Sequence, residues 1–445
     1  MTFAKVKIGL RSFMYRFFLG LMLLAVISAC LDELDIDTLA DDSANGKLVV
    51  EAVLTNELKT QEVFLSRTDS RLDLETDTIW DRNIPIGIRP YDSVNVESGA
   101  MVRVFGNNGQ EFNFTEGREG SYYSDQPFAL QTGVDYSLEV TLASGASYVS
   151  DNVAVSGTSD ITNIYAERTK SELGVDGVAI YIDSKPESGV TEYYRYTYDE
   201  TYKIVAPYWS PWEFELTNYV PCSNPPTYDL EVVPREVQNQ VCYNTVASNG
   251  IVQNSTVGNS GTNVSKQMVR FIGKDNYIIS HRYSILVKQH VQSATAYSHY
   301  ETLKSFSQSE GLFSQIQPGA LYANMHRKDG ASEEIFGYVE ATSVSERRLF
   351  FNFADLFPGE ELPPYPYNCG PYTALEPPPP CGGDASDCPP SVVEGVDQGL
   401  ITYYAPYDDG IVPVPFCIGP YAFTVPPCGD CTYLGKNVVP DFWVE

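Results

Sequence analysis

Short alternating runs of apolar and polar residues are the feature that most restricts the fold of this 445-residue chain. The first run extends from Lys47 to Leu54, and similar runs follow at 61–66, 100–105, 111–114, 120–123 and 136–141. A period of two places alternate side chains on opposite faces of a strand. Asn107-Asn108-Gly109 between two runs predicts a tight hairpin. The pattern predicts a β-sandwich of the immunoglobulin or fibronectin type over residues 47–157.

A second β-rich domain is predicted over residues 163–357, beyond a hinge at Gly157 to Asp160. Strand patterns recur at 178–183, 192–198 and 282–289, and the stretches 334–341 and 348–353 predict a final hairpin. The segment 244–262 is rich in Asn, Ser, Thr and Gly, so we expect a long exposed loop there. The predicted fold class is therefore mainly β throughout.

One helix is predicted near residues 293–310. Ser293 can cap its N-terminus, and Gly311 ends the pattern. Between them, apolar side chains recur at helical spacing, at Ala296, Tyr297, Tyr300, Leu303 and Phe306. This stripe predicts packing against the second sheet, and a partner-binding helix is the alternative.

The segment 358–445 has an unusual composition. It holds 18 of the 29 prolines and 6 of the 9 cysteines of the chain. Proline has no N–H to donate to a sheet ladder, so we expect little regular sheet here. We expect disulfides to fix this tail onto the surface of the second domain.

The basic leader of the chain is followed by an apolar run and a cysteine. Lys5, Lys7, Arg11 and Arg16 precede the apolar stretch 17–27, which ends in Ser28-Ala29-Cys30. Small residues before a cysteine are typical of lipoprotein processing, so residues 1–29 are predicted to be a signal peptide and Cys30 to carry diacylglycerol and palmitate. An ordinary cleavage site beside Cys30 is the alternative. Residues 30–46 are acidic and predict a solvated tether.

The remaining cysteines favour export. Eight are left once Cys30 is set aside, and all lie from residue 222 onward: Cys222, Cys242, Cys369, Cys381, Cys388, Cys417, Cys428 and Cys431. An even set of this kind is typical of disulfides formed in an oxidising compartment. Eight cysteines allow about 105 pairings. Cys222 with Cys242 is the local pair that the spacing suggests.

The charge of the chain restricts its partners. The formal net charge is −29 at pH 7, and loss of the basic leader would make the mature chain more acidic still. Nucleic-acid binding requires clustered cationic side chains, so this acidic chain is not expected to have a nucleic-acid partner.

No motif predicts a cofactor, a metal or catalysis. His281, His290, His299 and His326 form no HExxH pair, and we expect ordinary hydrogen-bonded histidines. Cys428-x-x-Cys431 could be imagined as half of a zinc site or as a redox pair, but disulfides are favoured in an exported chain. Paired carboxylates as in a glycosidase stay open, because their separation is spatial.

An aromatic cluster is the most specific binding candidate. Tyr208, Trp209, Trp212 and Phe214 lie on an irregular, proline-containing stretch. Flat rings could stack on a sugar or contact a partner, since aromatic side chains supply a large contact area with few rotors. The alternative is that they cover the edge of the second sheet.

Several of these stretches resemble one family. Residues 47–56 and 63–67 resemble the opening of the Bacteroidetes lipoprotein family called domain of unknown function 4249. Residues 282–289, 296–297, 311–313, 323–325 and 336–341 are similar to its core, and residues 428–432 with 440–443 are similar to its closing segment.

The resemblance implies a place and a role. Acids directly after Cys30 are similar to the signal that exports such lipoproteins to the outer face of the outer membrane, and a merely soluble linker is the alternative. Family members are commonly encoded beside TonB-dependent receptors, which implies an accessory role in uptake or surface assembly. The family brings no assigned catalytic residues.

Together these expectations describe a lipid-anchored outer-membrane protein that faces the cell exterior and works by binding rather than by catalysis. A TonB-dependent receptor is the expected partner. A hydrolase acting on extracellular polymer and a purely structural envelope component are the two rival interpretations.

Overall fold

The computed structural model describes residues 46–68, 95–220, 227–259, 261–308, 323–373, 392–406 and 421–445. The signal peptide, Cys30, the tether as far as residue 45, and Cys222, Cys381, Cys388 and Cys417 lie outside these residues. Within them the chain is mainly β, as the alternation predicts. None of the helices in the described ranges is long and apolar enough to cross a membrane.

Nine strands form the N-terminal unit. They are β1 (Leu48–Thr55), β2 (Glu62–Arg67), β3 (Asn95–Val96), β4 (Met101–Gly106), β5 (Glu111–Arg118), β6 (Ser121–Ser124), β7 (Asp135–Thr141), β8 (Ser147–Ser150) and β9 (Val153–Ala154). Neighbours follow the order β1-β2-β6-β5-β4-β7-β8, with β3 beside β2 and β9 beside β7. The even residues of β1 share one buried core with Val104 on β4 and Leu138 on β7. These strands therefore bury one side around a single shared core, which is what the predicted β-sandwich requires.

Eleven strands and one long helix make up the middle of the chain. They are β10 (Gly157–Lys170), β11 (Asp176–Gly189), β12 (Tyr193–Val205), β13 (Trp212–Val220), β14 (Thr227–Pro234), β15 (Val241–Ala247), β16 (Val252–Ser255), β17 (Val264–Gly273), β18 (Arg282–Gln292), α1 (Ala294–Gln308), β19 (Met325–Arg327) and β20 (Phe336–Asn352). The sheet β10-β11-β17 packs on β12 and β18 around a second core that includes Ile180, Tyr196 and Ile285. A 3₁₀ turn at Tyr277–Ile279 precedes β18.

Strand β20 joins the two cores. Its first half pairs in parallel with β1, and its second half pairs antiparallel with β18. Gly337 has φ +87°, and a Cβ there would lie 2.1 Å from the carbonyl oxygen of Val50, so only glycine fits this close approach of the two backbones. One sheet path consequently runs from β15 through β12, β18 and β20 into the N-terminal sandwich.

Three local predictions are wrong. Residues 334–341 and 348–353 are not two arms of a hairpin, because they belong to the single strand β20. The hinge predicted at 157–160 is the beginning of β10, which pairs with β11. The loop predicted over 244–262 contains the end of β15 and all of β16, because both strands find a partner in β12.

The C-terminal tail contains short elements. They are α2 (Phe353–Leu356), β21 (Tyr372–Thr373), α3 (Val392–Asp397), β22 (Thr402–Pro406), β23 (Tyr421–Thr424), α4 (Pro426–Gly429) and a 3₁₀ turn at Cys431–Tyr433. The three strands form a small sheet, which the proline content argued against.

Two disulfides hold this tail. Cys242 on β15 pairs with Cys431, and Cys369 pairs with Cys428. The local Cys222–Cys242 pairing suggested by the spacing is therefore wrong, because the tail returns to β15 and brings Cys431 to Cys242. The two cysteines of the C-x-x-C stretch have different partners, so neither thiol is available to a zinc ion.

Candidate functional site

Helix α1 lies against the outer face of the central sheet and contacts β12, β18 and β20. The Ser293 hydroxyl accepts a hydrogen bond from the backbone N–H of Ala296 at 3.1 Å, which confirms the predicted N-terminal cap. Ala296 and His299 are buried against the sheet. The helix therefore packs within the protein, as predicted, and its two flanks border two clefts.

A buried ion pair lies beneath the helix. Arg195 on β12 donates to Glu340 on β20 at 2.9 Å, and the amide of Gln292 donates to the other oxygen of Glu340 at 2.9 Å. The guanidinium also lies 4.4 Å from the ring centroid of Tyr300 on α1. Burial alone would lower the pKa of Arg195, but the attraction of Glu340 and Tyr300 outweighs it and the pKa is raised. The buried charges are thus compensated by each other.

The first cleft has a volume of about 500 Å³ and lies between α1 and residues 151–154. Much of its lining is polar: the helix contributes Ser298 and Thr302, and the opposite wall contributes Asn152. The Asn324 side chain, which also lines it, is already engaged with both backbone groups of Val339, at 2.8 and 2.9 Å. This cleft offers hydroxyl and carbonyl groups in a shallow, mixed surface.

The second cleft has a volume of about 720 Å³ and lies between α1 and strands β1 and β2. Its lining is mainly apolar and aromatic, from Val49, Val53, Phe64, Tyr300, Leu303, Phe336 and Tyr338. Glu51 projects from the middle of β1 into this lining. Both clefts lie within the volume range typical of small-molecule sites, and His299 and Tyr338 line both.

The four histidines lie in different surroundings. His281 precedes β18, and burial lowers its pKa. His290 is buried on β18, where burial lowers its pKa strongly and Arg195 adds to the effect; its Nε2 is 3.0 Å from the Thr197 hydroxyl. His299 lies on α1 with its ring 4.7 Å from that of Tyr338. His326 on β19 is 3.2 Å from a carboxylate oxygen of Asp151. No group of three metal-ligating side chains occurs within the described ranges.

The structure divides the predicted aromatic surface. Trp209 packs against the second core, and Tyr208 contacts Tyr404 edge to face. Phe214 contacts Tyr403 and Tyr421 of the C-terminal sheet in the same way. Trp212 differs from these three, with 45% of its surface exposed. Three of the four rings therefore pack within the protein, Trp209 on the second core and Tyr208 and Phe214 on the tail, and ligand binding by this group stays a prediction.

Sequence reasoning missed Glu51 and the second cleft. The sequence does contain a signal: on the alternate positions of β1 that face away from the core, Glu51 lies between Val49 and Val53. Reading it required knowing that α1 covers those positions, and the spacing of the chain does not show that.

Comparison with known proteins identifies one family. The family model described as "Domain of unknown function (DUF4249)" matches residues 32–348, which is more than half of the chain and includes the N-terminal core, most of the second core, the helix and both clefts. Among the curated proteins, no match was found.

Proposed function

Because the chain belongs to the family described as a domain of unknown function (DUF4249), we propose that it is an outer-membrane lipoprotein that works by binding. In this proposal Cys30 carries the lipid, residues 30–46 form the tether, and the folded part faces the cell exterior. A TonB-dependent receptor is the proposed partner, which the protein assists in uptake or envelope assembly.

The observation that carries the binding role is the pair of ligand-sized clefts on either side of α1. They open on a rigid base, because the underlying strands belong to one continuous sheet path and the tail is held by two disulfides. A rigid base with open clefts suits a protein that presents a ligand to a partner.

Capture of the receptor tests the partnership. The C-terminus is unsuitable for a tag, because Trp443 packs on Tyr243 and Glu445 accepts hydrogen bonds from Lys203. The turn at Leu173 between β10 and β11 is 93% exposed and can carry an inserted affinity tag. We expect an outer-membrane β-barrel receptor to co-purify from solubilised membranes, with an untagged strain as the control. Repeated purifications without a receptor would contradict the partnership.

Lipid labelling and protease shaving test the location. Growth with an alkyne-modified fatty acid should label the wild-type protein and leave a Cys30→Ala variant unlabelled. Protease added to intact cells should cleave the wild-type protein, whereas protection would place it in the periplasm.

A hydrolase acting on extracellular polymer is the second candidate, because Glu51, Glu62 and His299 line one cleft. Its test is turnover of soluble polysaccharides and peptides by the purified chain. Turnover abolished by Glu51→Gln or His299→Ala, in variants that melt as the wild type does, would replace the binding role.

A further inference from the structure

Glu51 occupies an unusual position in β1. The residues of this strand alternate, so that Leu48, Val50, Ala52 and Leu54 point into the sandwich core while Val49, Glu51 and Val53 line the second cleft. In the sheet register Glu51 lies directly opposite Phe64 on β2 and Tyr338 on β20. An acid at the floor of an apolar cleft is therefore flanked by an aromatic side chain on each neighbouring strand.

No hydrogen bond or ion pair is formed by Glu51 with any described residue. The two most deeply buried acids behave differently: Glu340 is paired with Arg195, and Glu200 is paired with Arg270 at 3.1 Å and with the hydroxyl of Tyr283. Neighbouring groups of the cleft partly desolvate the carboxylate and raise the pKa of Glu51, although the residue is exposed to solvent. Both hold for a carboxylate at the bottom of an open cleft, where it loses water without gaining a partner.

Other charged groups around this cleft already have partners. Lys59 lies 2.6 Å from Glu57, Glu62 lies 3.6 Å from Arg118, and Lys47, near the ring of Phe336, pairs with Glu334. These pairs contribute no net charge, so among the described residues Glu51 leaves the lining of the cleft with a net negative charge. The side chains of α1 that line it are His299, Tyr300 and Leu303.

We propose that the cleft between α1 and strands β1 and β2 binds an amphipathic organic cation, whose amine or guanidinium group pairs with Glu51 while its apolar part packs on Phe64, Leu303 and Phe336. A carboxylate in partly desolvated surroundings gains most from a charged donor, and the rings of Phe64 and Tyr338 can also attract a cation. Apolar walls of this kind favour an apolar body next to the charge. The inference rests on the proposed binding role and adds the class of ligand.

Calorimetric titration of the full lipoprotein in nanodiscs tests it. The probes are 2-phenylethylamine, the neutral 2-phenylethanol and the anionic phenylacetate, which share one ring and differ in charge. We expect the amine to bind at least about tenfold more tightly than the alcohol, which is the size expected of a charge-assisted hydrogen bond. The blocked dipeptide acetyl-Phe-Lys-amide is titrated as a second cation. Tighter binding of 2-phenylethylamine would identify a small free amine as the ligand, and tighter binding of the dipeptide would identify a peptide side chain.

Two variants complete the experiment. Glu51→Gln should lower the affinity for the amine to that for the alcohol and leave the alcohol unaffected. Glu119→Gln removes the same charge from an exposed turn between β5 and β6, so it should change neither affinity.

Equal binding of amine and alcohol, absence of binding by either cation, or an unchanged amine affinity in Glu51→Gln would overturn the proposal. Melting curves of the variants separate loss of the site from loss of the fold. The titration uses the lipoprotein in nanodiscs without a receptor. A negative result therefore leaves the outcome of the receptor capture experiment open.

Discussion

Two carboxylates on the same face of the sheet lie in opposite circumstances. Glu340 on β20 is 1% exposed and is closed off under α1 by Arg195, Gln292 and Tyr300. Glu51 lies on the adjacent strand β1 opposite Tyr338, two residues before Glu340, yet it faces an open cleft and has no partner among the described residues. The closed side builds the fold, and the open side retains an unsatisfied charge that a ligand can use.

The two carboxylates differ in whether an opposite charge compensates them. A buried charge is tolerated when its partner is buried with it, and removal of the partner is then far more costly than replacement of both. A charge at the bottom of a cleft can be solvated in part, so its loss should hardly affect folding. Each side therefore predicts a different response to substitution.

The largest effect is expected from Arg195→Met, which leaves Glu340 buried and uncompensated. We expect the free energy of unfolding to fall by about 3–5 kcal/mol. Urea denaturation followed by tryptophan fluorescence measures it. The double variant Arg195→Met with Glu340→Met should recover most of the loss, and equal destabilisation of the single and double variants would show that packing rather than charge holds this side together.

The next effect concerns His290, which lies opposite Arg195 in the sheet register. Burial and the cations Arg195, Lys59 and Lys288 hold its pKa well below the ordinary value. The unfolded chain takes up a proton below about pH 6.5 and the folded chain does not, so stability falls with decreasing pH by up to about 1.4 kcal/mol per pH unit.

A His290→Gln variant should lack this contribution. Between pH 6.5 and pH 5.5 its free energy of unfolding should fall less than that of the wild type, by roughly 1 kcal/mol. Both proteins share the pH dependence of His281 and of the carboxylates, so the difference isolates His290. Identical slopes would mean that His290 accepts a proton in the folded state.

A smaller effect is expected for Tyr300→Phe. This change keeps the ring over the Arg195 guanidinium and removes the hydroxyl that bonds to Glu340. One hydrogen bond to a charged group contributes roughly 1.5–3 kcal/mol, and the shared bonds of Arg195 and Gln292 should reduce this to about 1 kcal/mol. Urea midpoints measure it, and a midpoint equal to that of the wild type would contradict a stabilising role of this hydroxyl.

The smallest effect is expected for Glu51→Gln, because the wild-type carboxylate has no partner to lose in the part of the chain that the structure describes. The free energy of unfolding should stay within about 0.5 kcal/mol of the wild type. A loss greater than about 1.5 kcal/mol would place Glu51 among the structural acids with Glu340, and the contrast between the two sides of α1 would disappear.

Much of the local structure follows from the sequence. The alternation at 47–54 predicts β1, and the same pattern predicts most strands of the N-terminal unit. The spacing from Ala296 onward, with Ser293 as the cap, predicts α1 and its packing. These features depend on near neighbours, so one chain segment contains the information for them.

Pairing over long distances was not predictable. The sequence suggested a hairpin at 334–353 because two apolar stretches follow one another, whereas the parallel partner of β20 comes from residues 49–55, far earlier in the chain. Cys242 likewise pairs with Cys431, 189 residues away. Neither choice leaves a signature in local periodicity or spacing.

By itself, the sequence determined the mainly β fold, the capped helix and the presence of disulfides towards the C-terminal end. The tertiary structure alone decided which acid would be neutralised. Glu340 and Glu51 both look like isolated polar residues in apolar strands, and they differ only because Arg195 lies near one of them while a cleft opens over the other. A charge is satisfied or left unsatisfied by what the fold brings within about 4 Å of it, and that distance is set by the packing of remote segments.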